Sequence, residues 1–193
     1  EQVVVIGGGL SGVEVATEIA EHHPRLRVTL VAESVLPAVS DGARAYAERV
    51  LGELGIERRA AHAVAIDAGG VDLEGGERID ASVVVWAGGF VACGPKIESD
   101  LAREASGRLR VDAALRAEGR EHVWVVGDAA APPPGLPFAR MSCALAMPMG
   151  AHAADNVARA LRAEPAEPFR FGYAGQCISL GRKRGLVQMV TPD

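Results

Sequence analysis

The stretch Gln2-Val3-Val4-Val5-Ile6-Gly7-Gly8-Gly9-Leu10-Ser11-Gly12-Val13-Glu14 decides the fold. Val3–Ile6 is an unbroken β-branched run, which suits a strand buried on both faces. The glycines follow at once. A helical pattern of Val13, Ala16, Ile19 and Ala20 then runs on and ends before Pro24. A second apolar strand is expected at Val28–Ala32. In a strand–turn–helix of this kind each glycine has its own reason. Gly7 makes the tight turn, Gly9 lets backbone approach a pyrophosphate, and Gly12 lets the helix pack close on the strand. The helix N-terminus carries roughly half a positive charge and unpaired N–H groups, so it suits a diphosphate. Gly7, Gly8, Gly9, Leu10, Ser11 and Gly12 are therefore candidate dinucleotide ligands. The plainer alternative is a structural glycine turn; the flanking strands and helix weigh against it.

Three more features extend the site. An acid closing the second strand about 20 residues on would accept from ribose hydroxyls. Glu33 stands near that place, 21 residues after Gly12, and would favour NAD over NADP. Its plainer reading is a solvated loop acid. Glu14 and Glu18 share a helix face and repel slightly; Glu14 either contacts the nicotinamide end or is simply solvated. Two further apolar runs end in glycine at what would be the carboxyl edge of a parallel sheet, where ligands of open α/β sheets bind. These are Trp86-Ala87-Gly88-Gly89 and Val125-Val126-Gly127-Asp128.

The rest of the chain reads as a mixed α/β protein. Ser40 or Asp41 caps a helix to Leu54, Gly55 ends it, and Ile56–Arg59 is a short strand. Val64–Asp67, Val71–Glu74 and Arg78–Ile79, split by Gly pairs, form an antiparallel meander. Buried strands are expected at Ser82–Trp86 and Val123–Val126, and a charged helix or turn at Glu98–Ala105. Pro132–Pro134 and Pro137 stiffen a loop. A helix is expected over Leu145–Leu161, started or interrupted near Pro148. Gln176–Leu180 and Leu186–Val190 make a hairpin with the basic tip Arg182-Lys183-Arg184, which is either solvated or touches anionic lipid.

The 193 residues, 49% hydrophobic, are enough for a packed core and fit one domain or one and a half. Net charge is -5, which argues against a nucleic-acid binder relying on bulk charge. Eighteen of the 20 cations are Arg, a pattern closer to coding bias than to function. Cys93, Cys143 and Cys177 are far apart and the histidines form no ligand spacing, so neither a metal site nor a dithiol pair is expected. A reducing, cytoplasmic setting fits. No Tyr-xxx-Lys of a short-chain dehydrogenase and no P-loop GK[ST] occurs.

Read together, Gly7–Glu18 (GGGLSGVEVATE) and Val123–Asp128 (VWVVGD) resemble the two-dinucleotide-fold flavoprotein oxidoreductases, the FAD-dependent pyridine nucleotide oxidoreductases. The likeness is nearest to their type II NADH dehydrogenase-like branch. It implies a Rossmann-like NAD(P)H domain over 1–112, the trailing part of an FAD domain over 113–162, and the start of a C-terminal domain over 163–193. It implies NADH (or NADPH) on the Gly7–Gly12 turn, flanked by Ala87, Gly88 and Gly89. It implies FAD on Gly127 and Asp128, with a helix around Gly150–Asn156 facing the flavin beside Met149. Hydride would pass from nicotinamide to flavin, and electrons to an acceptor such as a quinone. No general base is expected. Peripheral contact with the inner face of a membrane and a homodimer are left open.

Two departures stand out. The family's quinone reductases carry glutamines ahead of the glycine matched by Gly150, where this chain reads Cys143-Ala144-Leu145-Ala146-Met147-Pro148-Met149. There is also only one GxGxxG, so the chain is expected to be cut from a longer flavoprotein. The alternative is a nicotinamide-nucleotide-binding module without redox turnover.

Overall fold

A computed structural model of the chain describes residues 1–92, 100–136, 140–172 and 175–189. It separates into two compact units, Glu1–Gly89 with Tyr173–Asp193, and Phe90–Gly172.

The first unit is built on β1 (Gln2–Ile6), α1 (Leu10–His22), β2 (Arg27–Val31), α2 (Asp41–Glu53) and β3 (Glu57–Arg59). A meander follows, β4 (Ala63–Asp67), β5 (Gly70–Leu73) and β6 (Arg78–Asp80), and then β7 (Val83–Trp86). The parallel sheet has the order β3-β2-β1-β7, and the meander is a separate antiparallel sheet β4-β5-β6. This is the Rossmann-like arrangement expected. Strand alternation explains the unbroken apolar run of β1. Val3 and Val5 enter a core with α1 and α2 residues such as Val13, Ala16, Ala47 and Leu51. Val4 and Ile6 enter a second core with Val71 and Leu73 of the meander.

Ser40 caps α2 by accepting from the Ala43 amide, and Gly55 follows in the left-handed region (φ +70°). The meander turn is set by Asp67, whose Oδ1 accepts from the Gly69 and Gly70 amides at 2.7 and 3.1 Å and from Arg78 at 2.7 Å.

The hairpin β8 (Gly175–Ser179) and β9 (Gly185–Met189) packs on this unit. Ile178 and Leu180 are buried in the α1/α2 core. Two of the three cations of the basic tip are paired with the helices beneath, Arg182 with Glu18 at 2.5 Å and Arg184 with Glu53, and Lys183 between them is exposed. Glu14 accepts from the Ser179 amide at 2.9 Å, and Glu21 from the Arg182 amide. Glu14, Glu18 and Glu21, spaced four and three apart, thus form one helix stripe that holds the hairpin. Their mutual repulsion is offset by the donors they share.

Three local expectations need correction. Ser82–Trp86 was expected to be buried, but β7 is the outer strand of its sheet and Val83 is 52% exposed. Val123–Val126 is not a strand: a strand needs a continuous neighbour, and among the described residues these have the single bridge Arg116↔Trp124. Of the helix or turn expected from Glu98 to Ala105, the described part is a bridged turn, with Arg103 opposite Leu109. Glu98 and Ser99, like Cys93, Pro137 and Val190, lie outside the described residues. Finally, α3 (Cys143–Leu161) starts before Leu145 and carries Pro148 inside it. Pro148 is the sixth residue of α3, beyond the turn whose N–H groups have no intrahelical partner, so it forgoes the bond to the Ala144 carbonyl, and the helix still runs on to Leu161.

The second unit closes around Leu115, Met149, Leu145, Val125 and Phe169. Its polar anchor is the buried Asn156. The amide nitrogen donates to the Ala114 and Glu167 carbonyls at 3.2 and 2.9 Å, and Oδ1 accepts from the Glu167 amide at 2.9 Å.

Candidate functional site: the glycine turn at the strand-order reversal

The chain leaves β1 for β2 on one side and returns to β7 on the other. The carboxyl ends of β1 and β7 therefore flank the point where strand order reverses, the place where open α/β sheets bind ligands. The turn there is tied to both neighbours. The Gly7 amide donates to the Val31 carbonyl at 2.9 Å, and the Ala87 amide to the Ile6 carbonyl at 2.8 Å.

The three signature glycines are constrained differently. Gly7 has φ +124°, and a Cβ there would fall 2.2 Å from the Ala87 carbonyl oxygen. A Cβ on Gly12 would fall 1.9 Å from the Gly7 carbonyl oxygen, so α1 approaches the turn only because that side chain is absent. Gly8 is held from the other side, 1.9 Å from the Ser34 carbonyl oxygen by the same measure. Gly9 is the exception. It has φ -72°, open to any residue, and a Cβ there would meet nothing within 4 Å. Among the described residues no protein atom requires glycine at that position, which leaves room for a group to approach the backbone there. The first turn of α1 contains no acidic residue, and Gly9 caps it with no side-chain bond. The Leu10, Ser11 and Gly12 amides precede the first intrahelical bond, from Val13 to Gly9 at 3.1 Å.

A cleft of about 300 Å³ opens over this turn, lined by Gly7, Gly8 and Gly9, by Glu33, and by Trp86 and Gly88. Glu33 lines the cleft two residues past the end of β2. Its carboxylate lies 3.0 Å from His62 Nε2, with both side chains exposed. Glu14 does not line the cleft, being engaged with Ser179. Gly88 has a reason within the protein, since a Cβ there would fall 2.7 Å from Cζ2 of the Trp86 indole. Gly89 has φ +110°, a conformation glycine adopts freely.

Gly127 and Asp128 belong to the second unit, in a single 3₁₀ turn Gly127–Ala129. Gly127 has φ +63° and Asp128 is exposed. A carboxylate accepts only, so Asp128 suits a hydroxyl-rich partner. The Met149 side chain, by contrast, is 1% exposed and packed in the core, and Gly150–Asn156 lies within α3 rather than at its start. That stretch presents no helix N-terminus.

His62 and Trp86 are the cleft residues that sequence reasoning passed over. His62 has no spacing signal to Glu33. The two meet because β2 and β3 pair in parallel, Val31 opposite Arg59, so the loops after both strands leave the same edge. Trp86 is brought beside the turn by its register with Ile6.

The fold and the turn define a Rossmann-like α/β protein with a glycine-rich turn at the strand-order reversal. A family profile, pyridine nucleotide-disulphide oxidoreductase, matches residues 1–156, and the chain belongs to that family. An NADH dehydrogenase-like protein of Mycobacterium tuberculosis is 34% identical over 192 residues, covering 93% of this chain and 48% of that protein. The type II NADH:quinone oxidoreductase of Staphylococcus epidermidis is 29% identical, covering 95% of this chain and 50% of its own length. The crystal structure of an FAD-dependent pyridine nucleotide-disulphide oxidoreductase from Desulfovibrio vulgaris superposes with a TM-score of 0.71 at 19% identity, over 93% of this chain and 46% of that one, a likeness of fold. The chain spans about half the length of the relatives it matches.

Proposed function

We propose that the Gly7–Gly12 turn binds the diphosphate of NADH or NADPH, and that the chain serves a flavin-dependent NAD(P)H oxidoreductase. Gly9 carries this reading: the turn's other glycines have protein reasons, and Gly9 has none. Gly7, Gly8, Leu10, Ser11 and Gly12 complete the cradle, Ala87, Gly88 and Gly89 flank it, and Glu33 accepts from the ribose hydroxyls. A 2′-phosphate would be repelled by that carboxylate, which favours NADH. On the second unit, Gly127 and Asp128 would hold FAD, Asp128 by accepting from its ribityl hydroxyls. When both cofactors are bound, the nicotinamide supplies a hydride and the flavin accepts it. The chain's own part is to bind and orient.

The naming of its relatives for NADH:quinone chemistry supports a quinone as acceptor. A peripheral station at the inner face of a membrane and a homodimer belong to the same proposal, as does the division at residues 112 and 162. No helix among the described residues is long and apolar enough to cross a membrane. The single GxGxxG favours one second reading, a nicotinamide-nucleotide module that turns over only with a flavin held elsewhere.

The test is a pair of calorimetric titrations. The proposal expects saturable NADH binding to this chain, and loss of FAD binding in Asp128→Ala. NADH binding with no FAD binding selects the module. In a protein spanning the full length of the relatives, bound flavin and NADH-dependent dye reduction are expected; a colourless, inactive protein would refute the oxidoreductase reading.

A further inference from the structure

Trp86 ends a strand of the central sheet, yet its side chain is 63% exposed, while its register partner Ile6 is 6% exposed. Alternation along β7 puts Trp86 on the same face as Val84, which packs with Val4, Ile6 and Val31. On that face the indole lies against Gly88 and lines the same cleft as the glycine turn and Glu33. Leaving a large aromatic surface in water is unfavourable, and a ligand lying along it removes that cost.

The sheet order gives this wall a direction. Glu33 and His62 follow β2 and β3, on one side of the glycine turn, and Trp86 ends β7 on the other. A dinucleotide with its diphosphate on the turn carries its two nucleosides to opposite sides. The carboxylate on the β2 side fits a ribose diol, and the flat indole on the β7 side fits a flat ring. We propose that Trp86 is the wall for the nicotinamide nucleoside, with the adenosine end toward Glu33 and His62. The inference rests on the reading that Gly7–Gly12 takes the diphosphate. It also gives Gly88 its purpose, since any larger residue there displaces the indole.

The experiment titrates NADH and ADP-ribose, which lacks the nicotinamide, into the chain by calorimetry, with Trp86→Ala and Trp86→Phe as variants. Trp86→Ala is expected to weaken NADH about three- to tenfold, as loss of one aromatic stacking partner does, and to leave ADP-ribose unchanged. Trp86→Phe keeps a flat ring and is expected to retain most of the affinity. In a Trp124→Phe background Trp86 is the sole indole, and bound NADH is expected to quench it by energy transfer, because the dihydronicotinamide absorbs where indole emits. An equal loss for both ligands, or no loss for either, overturns the assignment. If the unsubstituted chain binds neither ligand, the reading beneath it fails as well.

Discussion

Alanine at Gly9 and alanine at Gly12 separate binding from folding. At Gly9 a Cβ meets nothing within 4 Å, and φ -72° with ψ -176° is extended backbone that alanine adopts freely. Removing glycine stiffens the unfolded chain, a gain of about 0.4–1 kcal/mol, while alanine caps a helix worse than glycine, by roughly 0.5–1 kcal/mol. The two nearly cancel, so Gly9→Ala is expected to leave the unfolding midpoint within about 2 °C of the parent. Its new methyl stands over the amides that would face the diphosphate. Loss of one hydrogen bond to a charged group weakens binding by about 1.5–3 kcal/mol, or roughly 10- to 100-fold. At Gly12 the Cβ would lie 1.9 Å from the Gly7 carbonyl oxygen, so α1 must shift. Overpacking of this kind costs about 1–3 kcal/mol, a drop of about 2–12 °C at this chain length. Gly12→Ala should therefore lose stability and NADH affinity together, and Gly9→Ala affinity alone. Differential scanning fluorimetry and calorimetric titration read the two quantities. A Gly9→Ala protein that binds NADH as the parent does would refute the reasoning.

Three other outcomes follow from the structure. Glu33→Gln removes the charge facing a 2′-phosphate, and the ratio of NADPH to NADH affinity is expected to rise severalfold in paired titrations; an unchanged ratio counts against the ribose role. Asn156→Ala deletes three hydrogen bonds that this buried side chain makes to the backbone of the second unit and leaves those backbone groups unpaired, which should cost about 2–4 kcal/mol in urea denaturation. Arg78, then the Gly69 amide, hold Asp67 below its ordinary 3.8. Because the folded value is the lower one, the unfolded chain binds more protons in that window. The Asp67 contribution is therefore complete above about pH 4 and is lost as pH falls through the folded value. Asp67→Asn should flatten acid denaturation there, and an unchanged acid limb would show the turn contributes nothing.

The first unit was largely legible in the sequence because its signals are local. Val3–Ile6 and Val28–Ala32 are apolar runs, Gly69-Gly70 and Gly75-Gly76 punctuate the meander, and Ser40 and Gly55 bracket α2. What the sequence hid depends on neighbours. Val123–Val126 reads as a strand by composition, but pairing comes from elsewhere in the chain, and among the described residues one bridge is all they have. Ser82–Trp86 reads as buried because a β-branched run does not report whether its strand is central or outermost. Glu14 and Glu18 looked like a repelling pair because their partners, Ser179 and Arg182, lie more than 160 residues away. Met149 matched a family position by spacing, yet α3 begins early enough to turn that side chain into the core. In the cleft, Gly7 and Gly12 were legible as a motif. Glu33 was legible by its spacing, but its pairing with His62 and the placing of the Trp86 side chain in the cleft were not, because parallel register, not sequence spacing, brings them to the turn.

A crystal structure of the chain grown with NADH tests the central claim most directly. The account predicts the diphosphate at the start of α1, within hydrogen-bonding distance of the Leu10 and Ser11 amides and over the Gly9 backbone. A nucleotide bound elsewhere, or a diphosphate held away from those amides, would contradict it.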